Sequence, residues 1–167
     1  MPRPLLFAIP MLMSTSKDHP GVIAFPPLLW LIGAVVSVLV HLLVAWRITH
    51  SHIALFLGIA LALAAPSLAY SALRVMRAAG TNVDPAKPAL VIVRNGPYRF
   101  TRNPMYLALC LLQVALGFLL NDWLTLLFVI PLALVLHFGV ILREEKYLTA
   151  KFGEPYLALT REVRRWF

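Results

Sequence analysis

The chain has 167 residues, of which 60% are apolar and only 13% charged, and its mean hydropathy is +0.81. No soluble core needs so much apolar material, so the composition marks an integral membrane protein, and the length marks a single domain over residues 1–167. The formal net charge of +8 has no basic, aromatic-rich soluble module to carry it, which excludes nucleic acid as a partner and leaves anionic lipid headgroups.

Residues 1–24 form an N-terminal segment. Its apolar stretch, residues 4–13, is ten residues long, whereas crossing a bilayer takes roughly 20 residues of helix. Pro2, Pro4 and Pro10 interrupt it, and no small-residue cleavage motif follows in Ser14-Thr15-Ser16-Lys17. It is therefore expected to lie in the interface and not to be removed as a signal peptide, with a short re-entrant helix as the alternative.

The first two spans occupy residues 25–73. The first, about residues 25–46, opens with Pro26-Pro27 and closes with Trp46-Arg47, an aromatic and a cation suited to the interface. The second covers about residues 53–73. Residues 74–167 hold a long loop, a helical hairpin and a tail. The hairpin pairs spans at residues 104–120 and 123–142 through only Asn121 and Asp122, so the outer ends of both must surface on one membrane face. Asn103 and Pro104 suit the N-cap and first helical position of the third span. Pro66 and Pro131 predict kinks.

Four spans put the N-terminus, the 74–103 loop and the C-terminal tail on one side. That side holds 14 of the 15 Lys and Arg residues, leaving only Arg47 opposite. By the excess of cations on cytoplasmic loops, both termini are cytoplasmic, as in a multi-pass protein of a bacterial inner membrane. The 74–103 loop carries six basic residues against one acid. Its prolines and the Val91-Ile92-Val93 run predict an ordered, extended segment across the membrane face. Tyr70, Arg74 and Arg77 share a helix face leading into it, where the arginines can equally snorkel.

Several classes drop out by motif. None of the eight glycines is spaced G-x-G, and the phosphate loop and the His-Glu-x-x-His zinc motif are missing. His50-Ser51-His52 is poor evidence for a metal, and no metal site is predicted. Cys110 reads as a small apolar filler. Gln113 suits a hydrogen bond between helices. His41 and His137 lie inside spans, where a functional role and a plain interhelical bond are both open. Seven residues separate His137 from Glu144, two turns along one face, so under the functional reading His137 lines the lower part of a pocket there.

Two motifs carry the chemistry. Gly96-Pro97-Tyr98-Arg99-Phe100-Thr101-Arg102-Asn103-Pro104-Met105-Tyr106 precedes the hairpin, and Arg143-Glu144-Glu145, then Phe152-Gly153 and Tyr156, come after it some forty positions later. The hairpin brings the arginines and the carboxylate pair into one interfacial pocket. Alone, Arg143, Glu144, Glu145 and Lys146 would be a solvated helix-end cluster.

This conjunction, over residues 81–166, resembles the isoprenylcysteine carboxyl methyltransferases and their phospholipid methyltransferase relatives, integral membrane enzymes that use S-adenosylmethionine. The resemblance implies an all-α membrane bundle of about four transmembrane helices with a C-terminal hairpin and a cytoplasmic cofactor pocket. It differs at Asn103, where the best-known members carry a histidine, and at Leu159, where a second tyrosine is usual. By the resemblance, Tyr98, Arg102, Asn103, Pro104 and Met105 match the cofactor-binding stretch, and Glu144 and Glu145 match carboxylates near cofactor and substrate.

The residues suit that cofactor chemically. Arg99, Arg102 and the unpaired N–H groups opening the third span supply an anion site. Glu144 and Glu145 supply acid, and Tyr98, Tyr106 and the run ending at Val93 supply an apolar and aromatic slot. A carboxylate acceptor needs no base, whereas a thiol or amine does; Glu145 is the expected base and Arg143 the expected orienter of an anionic acceptor. The sequence thus predicts methyl transfer to a lipophilic or lipid-like acceptor. The alternatives are a nicotinamide-dependent reductase of sterol-reductase-like architecture and a non-enzymatic membrane scaffold or transporter subunit.

Overall fold

A computed structural model describes residues 18–167; the apolar stretch at residues 4–13 lies outside the described residues. Among these, every regular element is helical, and the only strand-like pairing is an isolated bridge between Arg47 and Asp122. The order is α1 (Pro26–Leu43), α2 (Ile53–Ala78), a 3-10 turn (Gly96–Arg99), α3 (Pro104–Leu119), α4 (Trp123–Leu127), α5 (Val129–Leu136), a π turn (His137–Ile141), α6 (Leu142–Phe152) and α7 (Glu154–Glu162). From α4 to α6 the chain forms one rod, Trp123–Phe152.

Three helices are long and apolar enough to cross a membrane: α1, α2 and the Trp123–Phe152 rod. The third predicted span, α3, has 16 residues, about 24 Å at 1.5 Å per residue, short of a hydrocarbon core of about 30 Å. Its start is fixed by Pro104 at the first helical position. Its end is fixed by Asn121, which takes a left-handed φ of 52° and turns the chain into Asp122.

Proline acts differently at its two sites. Pro66 sits inside an unbroken α2. The break between α4 and α5 falls at Phe128, three residues before Pro131. There the missing N–H and the clash with the Leu127 carbonyl interrupt the ladder.

Small residues set the packing. α2 buries Ala54, Gly58, Ala65 and Ala72 and packs mainly on α3, which buries Ala108, Ala115 and Gly117. A Cβ on Gly58 would stand 2.8 Å from the Leu119 backbone nitrogen, and one on Gly117 2.5 Å from the Leu126 Cα, so both glycines permit close helix approach. Cys110 joins Leu132, Leu136 and Val140 in the apolar core between α3 and the rod.

Gln113 donates across helices to Ser37 Oγ at 3.2 Å and the Thr125 carbonyl at 2.9 Å, as expected from its place in an apolar span. At that end of the bundle the α1–α2 loop is laced to the hairpin turn. Asp122 accepts from Trp46 N at 2.7 Å, and Asn121 exchanges bonds with Thr49 N and O at 3.1 and 2.7 Å. The opposite end gathers residues 18–25, the loop after α2 and the tail.

Candidate functional site

The loop after α2 is ordered by its own polar residues. Thr81 Oγ1 accepts from Leu90 N at 3.0 Å, Asn82 Nδ2 donates to Pro88 O at 2.9 Å, and Asp84 Oδ1 accepts from Ala86 N at 2.9 Å, an Asx turn. Ala89 N then donates to Tyr147 Oη at 3.2 Å, tying the loop to α6. The Val91-Ile92-Val93 run has no regular structure and crosses this end of the bundle. Beyond it, Arg94 Nη2 reaches Pro155 O at 2.7 Å. Gly96 opens the 3-10 turn at φ 58°, and a Cβ there would meet Val75 at 2.8 Å, so conformation and space both require glycine.

Residues 101–103 then run against the C-terminal tail. Arg102 N donates to Arg164 O at 3.0 Å, and Thr101 Oγ1 and Asn103 Nδ2 both donate to Arg165 O, at 3.1 and 2.9 Å. Asn103 occupies the expected N-cap position of α3, but its side chain makes no capping hydrogen bond. Its side chain, nearly buried, instead directs its amide N–H to the tail carbonyl.

A cleft with a cavity volume of about 150 Å³, partly open to solvent, lies among these elements. Of the eleven residues given a site role from the sequence, nine line it: Val93, Tyr98, Arg102, Asn103, Pro104, Met105, Tyr106, Glu144 and Glu145. Arg143 does not. It is exposed, and its Nη1 donates to Gly21 O at 2.9 Å. Arg99 is also exposed and outside the lining.

The two acids behave differently. Glu145 meets Arg102 Nη2 at 3.1 Å, and Arg165 forks onto it through Nε at 2.9 Å and Nη2 at 2.7 Å. Both of its oxygens are held by guanidinium groups. Among the described residues Glu144 takes one hydrogen bond, from the Tyr106 hydroxyl at 2.6 Å. Arg102 keeps its Nε buried with no hydrogen-bond partner among the described residues.

Burial pushes the Tyr98 phenol well above its ordinary range, with the Glu144 carboxylate adding to the effect. Burial likewise raises Tyr156 to about 12, reinforced by Glu145. Both are neutral donors at physiological pH. The Glu145 carboxylate holds Arg165 above the usual guanidinium range.

His137 does not reach the cleft. Its ring stacks on Trp166 at 6.5 Å between centroids. The π turn His137–Ile141 intervenes, and one extra residue per turn rotates the remainder of the rod by about 100°, so the seven-residue spacing to Glu144 no longer marks one face.

Sequence reasoning gave no site role to Thr81, Asn82, Asp84, Lys87 or Tyr147, all in the lining. No motif marks them; the density of side-chain turn formers in an otherwise apolar chain was the available signal. Leu159 is buried with Tyr156 and Val163 in a small apolar cluster, a setting in which a leucine packs without needing a polar partner. No group of three or more His, Cys, Asp or Glu able to hold a metal occurs among the described residues.

A family model described as phospholipid methyltransferase matches residues 53–155, from the start of α2 to the start of α7. An uncharacterized protein of Haemophilus influenzae is 44% identical over 62 residues, which are 37% of this chain and 98% of that one.

Proposed function

Because the chain belongs to the phospholipid methyltransferase family, we propose that it transfers a methyl group from S-adenosylmethionine to a lipophilic or lipid-like acceptor at the cytoplasmic membrane face. The observation that carries this reading is the Arg102–Glu145 contact of 3.1 Å, which joins the two sequence motifs in one cleft.

The residues fit the cofactor. Arg102, with its unpartnered buried Nε, and the N–H groups opening α3 would take the amino-acid carboxylate. Tyr98, Tyr106 and Val93 would form the aromatic and apolar wall. When bound, the cofactor supplies an electrophilic methyl on a sulfonium. The chain's own part is to orient the acceptor and exclude water. For an amine or thiol, Glu144 suits the proton-accepting role better than Glu145, whose oxygens are both engaged by arginines. Arg143, bound to Gly21 O away from the cleft lining, is poorly placed to orient an acceptor.

In this reading all four apolar rods cross the bilayer, α3 as a short span held between longer neighbours. Both termini and the cleft face the cytoplasm, on the side that carries 14 of the 15 Lys and Arg residues. The exposed apolar faces of α1 and α5 would meet lipid, from which the acceptor enters laterally. Calorimetric titration of the detergent-solubilised protein with S-adenosylmethionine tests the proposal. Binding of reduced nicotinamide dinucleotide phosphate instead would favour a reductase, and binding of neither a scaffold.

A further inference from the structure

Arg165 is the guanidinium beside the cleft to which neither sequence motif gives a role. It lies in the tail after α7, yet it grips both motifs. Its side chain forks onto Glu145 at 2.9 and 2.7 Å. Its carbonyl accepts from Thr101 and Asn103, while the preceding carbonyl, of Arg164, accepts from Arg102 N. Behind it Trp166 packs against the core formed by Cys110, Leu132, Leu136 and Val140. The tail is thus anchored on both sides of Arg165.

An Arg102–Glu145 pair alone would leave the carboxylate free to turn and would cancel the charge of Arg102. A bidentate guanidinium fixes the plane of a carboxylate as a single point charge cannot. Two guanidinium groups on one carboxylate also leave a net charge of about +1 on the cluster. The side chains of Arg102, Glu145 and Arg165 are 10%, 16% and 36% exposed, so the cluster is shielded well beyond an ordinary surface pair.

We infer that Arg165 is a positioning residue: by clamping Glu145 it fixes the Arg102 guanidinium and keeps positive charge available to the anionic end of the ligand. This rests on the proposed donor site, and it assigns Glu145 to the same support.

The test uses the full chain in detergent and the variants Arg165→Gln, Arg165→Lys, Glu145→Gln and the double variant Arg165→Gln with Glu145→Gln. Two readouts are taken: affinity for S-adenosylmethionine, and modification of Arg102 by phenylglyoxal without cofactor, mapped by mass spectrometry. Arg165→Gln is expected to weaken binding about tenfold, with Arg165→Lys between it and the parent, because lysine restores charge without the fork. The double variant should bind no more weakly than Glu145→Gln, since both residues act through one route. Arg102 modification should rise several-fold in Arg165→Gln and less in Arg165→Lys.

Unchanged affinity and unchanged Arg102 reactivity in Arg165→Gln overturn the inference while leaving the donor reading intact. If the parent binds no S-adenosylmethionine the donor reading falls, and Arg102 reactivity alone decides whether the clamp exists. Should Arg165→Gln fail to fold, Arg165→Lys carries both readouts, and parent-like values there overturn the clamp.

Discussion

The two ends of the helical bundle use the same kinds of polar side chain to opposite effect. At the hairpin turn, Asp122 is fully buried and accepts from Trp46 N at 2.7 Å, Thr125 N at 2.8 Å and Thr125 Oγ1 at 2.8 Å. At the other end Glu144 accepts a single bond, and Arg102 keeps a buried nitrogen without a partner among the described residues. Unused hydrogen-bonding capacity is not enough to distinguish them, because His41 Nδ1, 3.6 Å from Asp122, and Gln113 Oε1 also lack hydrogen-bond partners among the described residues. What differs is the space beside the capacity. Arg102 and Glu144 line a cleft that a ligand can enter, whereas the turn's acid is spent on closing the fold.

The largest effect expected from this contrast is at Arg102. Arg102→Ala should weaken S-adenosylmethionine binding by about a hundredfold or more while the protein still folds; titration beside circular dichroism checks both, and unchanged affinity would remove the arginine from the site. At the opposite end Asp122→Ala should do the reverse. It strands three donors, costing about 2–4 kcal/mol in denaturant unfolding, with the affinity of the folded fraction unaltered. A matched loss of affinity would erase the distinction between the ends.

Glu144→Gln should lower turnover about tenfold to a hundredfold on an amine or thiol acceptor, with little change in cofactor affinity. On a carboxylate acceptor it should have no such effect, so assays in a host lipid extract with labelled cofactor sharpen the acceptor class. The smallest effect is at Asp18, whose carboxyl is held below its ordinary value by hydrogen bonds from Lys151 and then Tyr147. A depressed carboxyl stabilises the fold above its unfolded pKa and loses that contribution as pH falls. The difference in unfolding midpoint between the parent and Asp18→Asn should therefore be slight at neutral pH and shrink below about pH 4.

Much of this arrangement was legible in the chain because apolar runs and short turns constrain it strongly. A connection of only Asn121 and Asp122 forces residues 104 and 142 toward one end, and the meeting of Arg102 with Glu145 results from that. The span count was less legible. The apolar residues of α3 continue to Leu120, but a helix at Pro104–Leu119 is short, and hydropathy does not reveal whether its neighbours compensate. The tail was hardly legible at all. Arg165 sits beside Arg161 and Arg164, which look alike in a basic stretch, and only the fold singles out the one that reaches Glu145. The reading of His137 missed because periodicity assumes an unbroken α-helix.

That irregularity carries a consequence of its own. The π turn His137–Ile141 acts as a rotary offset between a lipid-embedded shaft and the acidic head it presents, Glu144 and Glu145. Apolar exchanges along the outer face of α5 should be absorbed by the bilayer, yet removing one residue from the turn would swing both carboxylates about 100° around the axis and scarcely alter hydrophobic length. Evolution or an engineer can thus repaint this shaft cheaply, but cannot change its residue count without re-aiming the head.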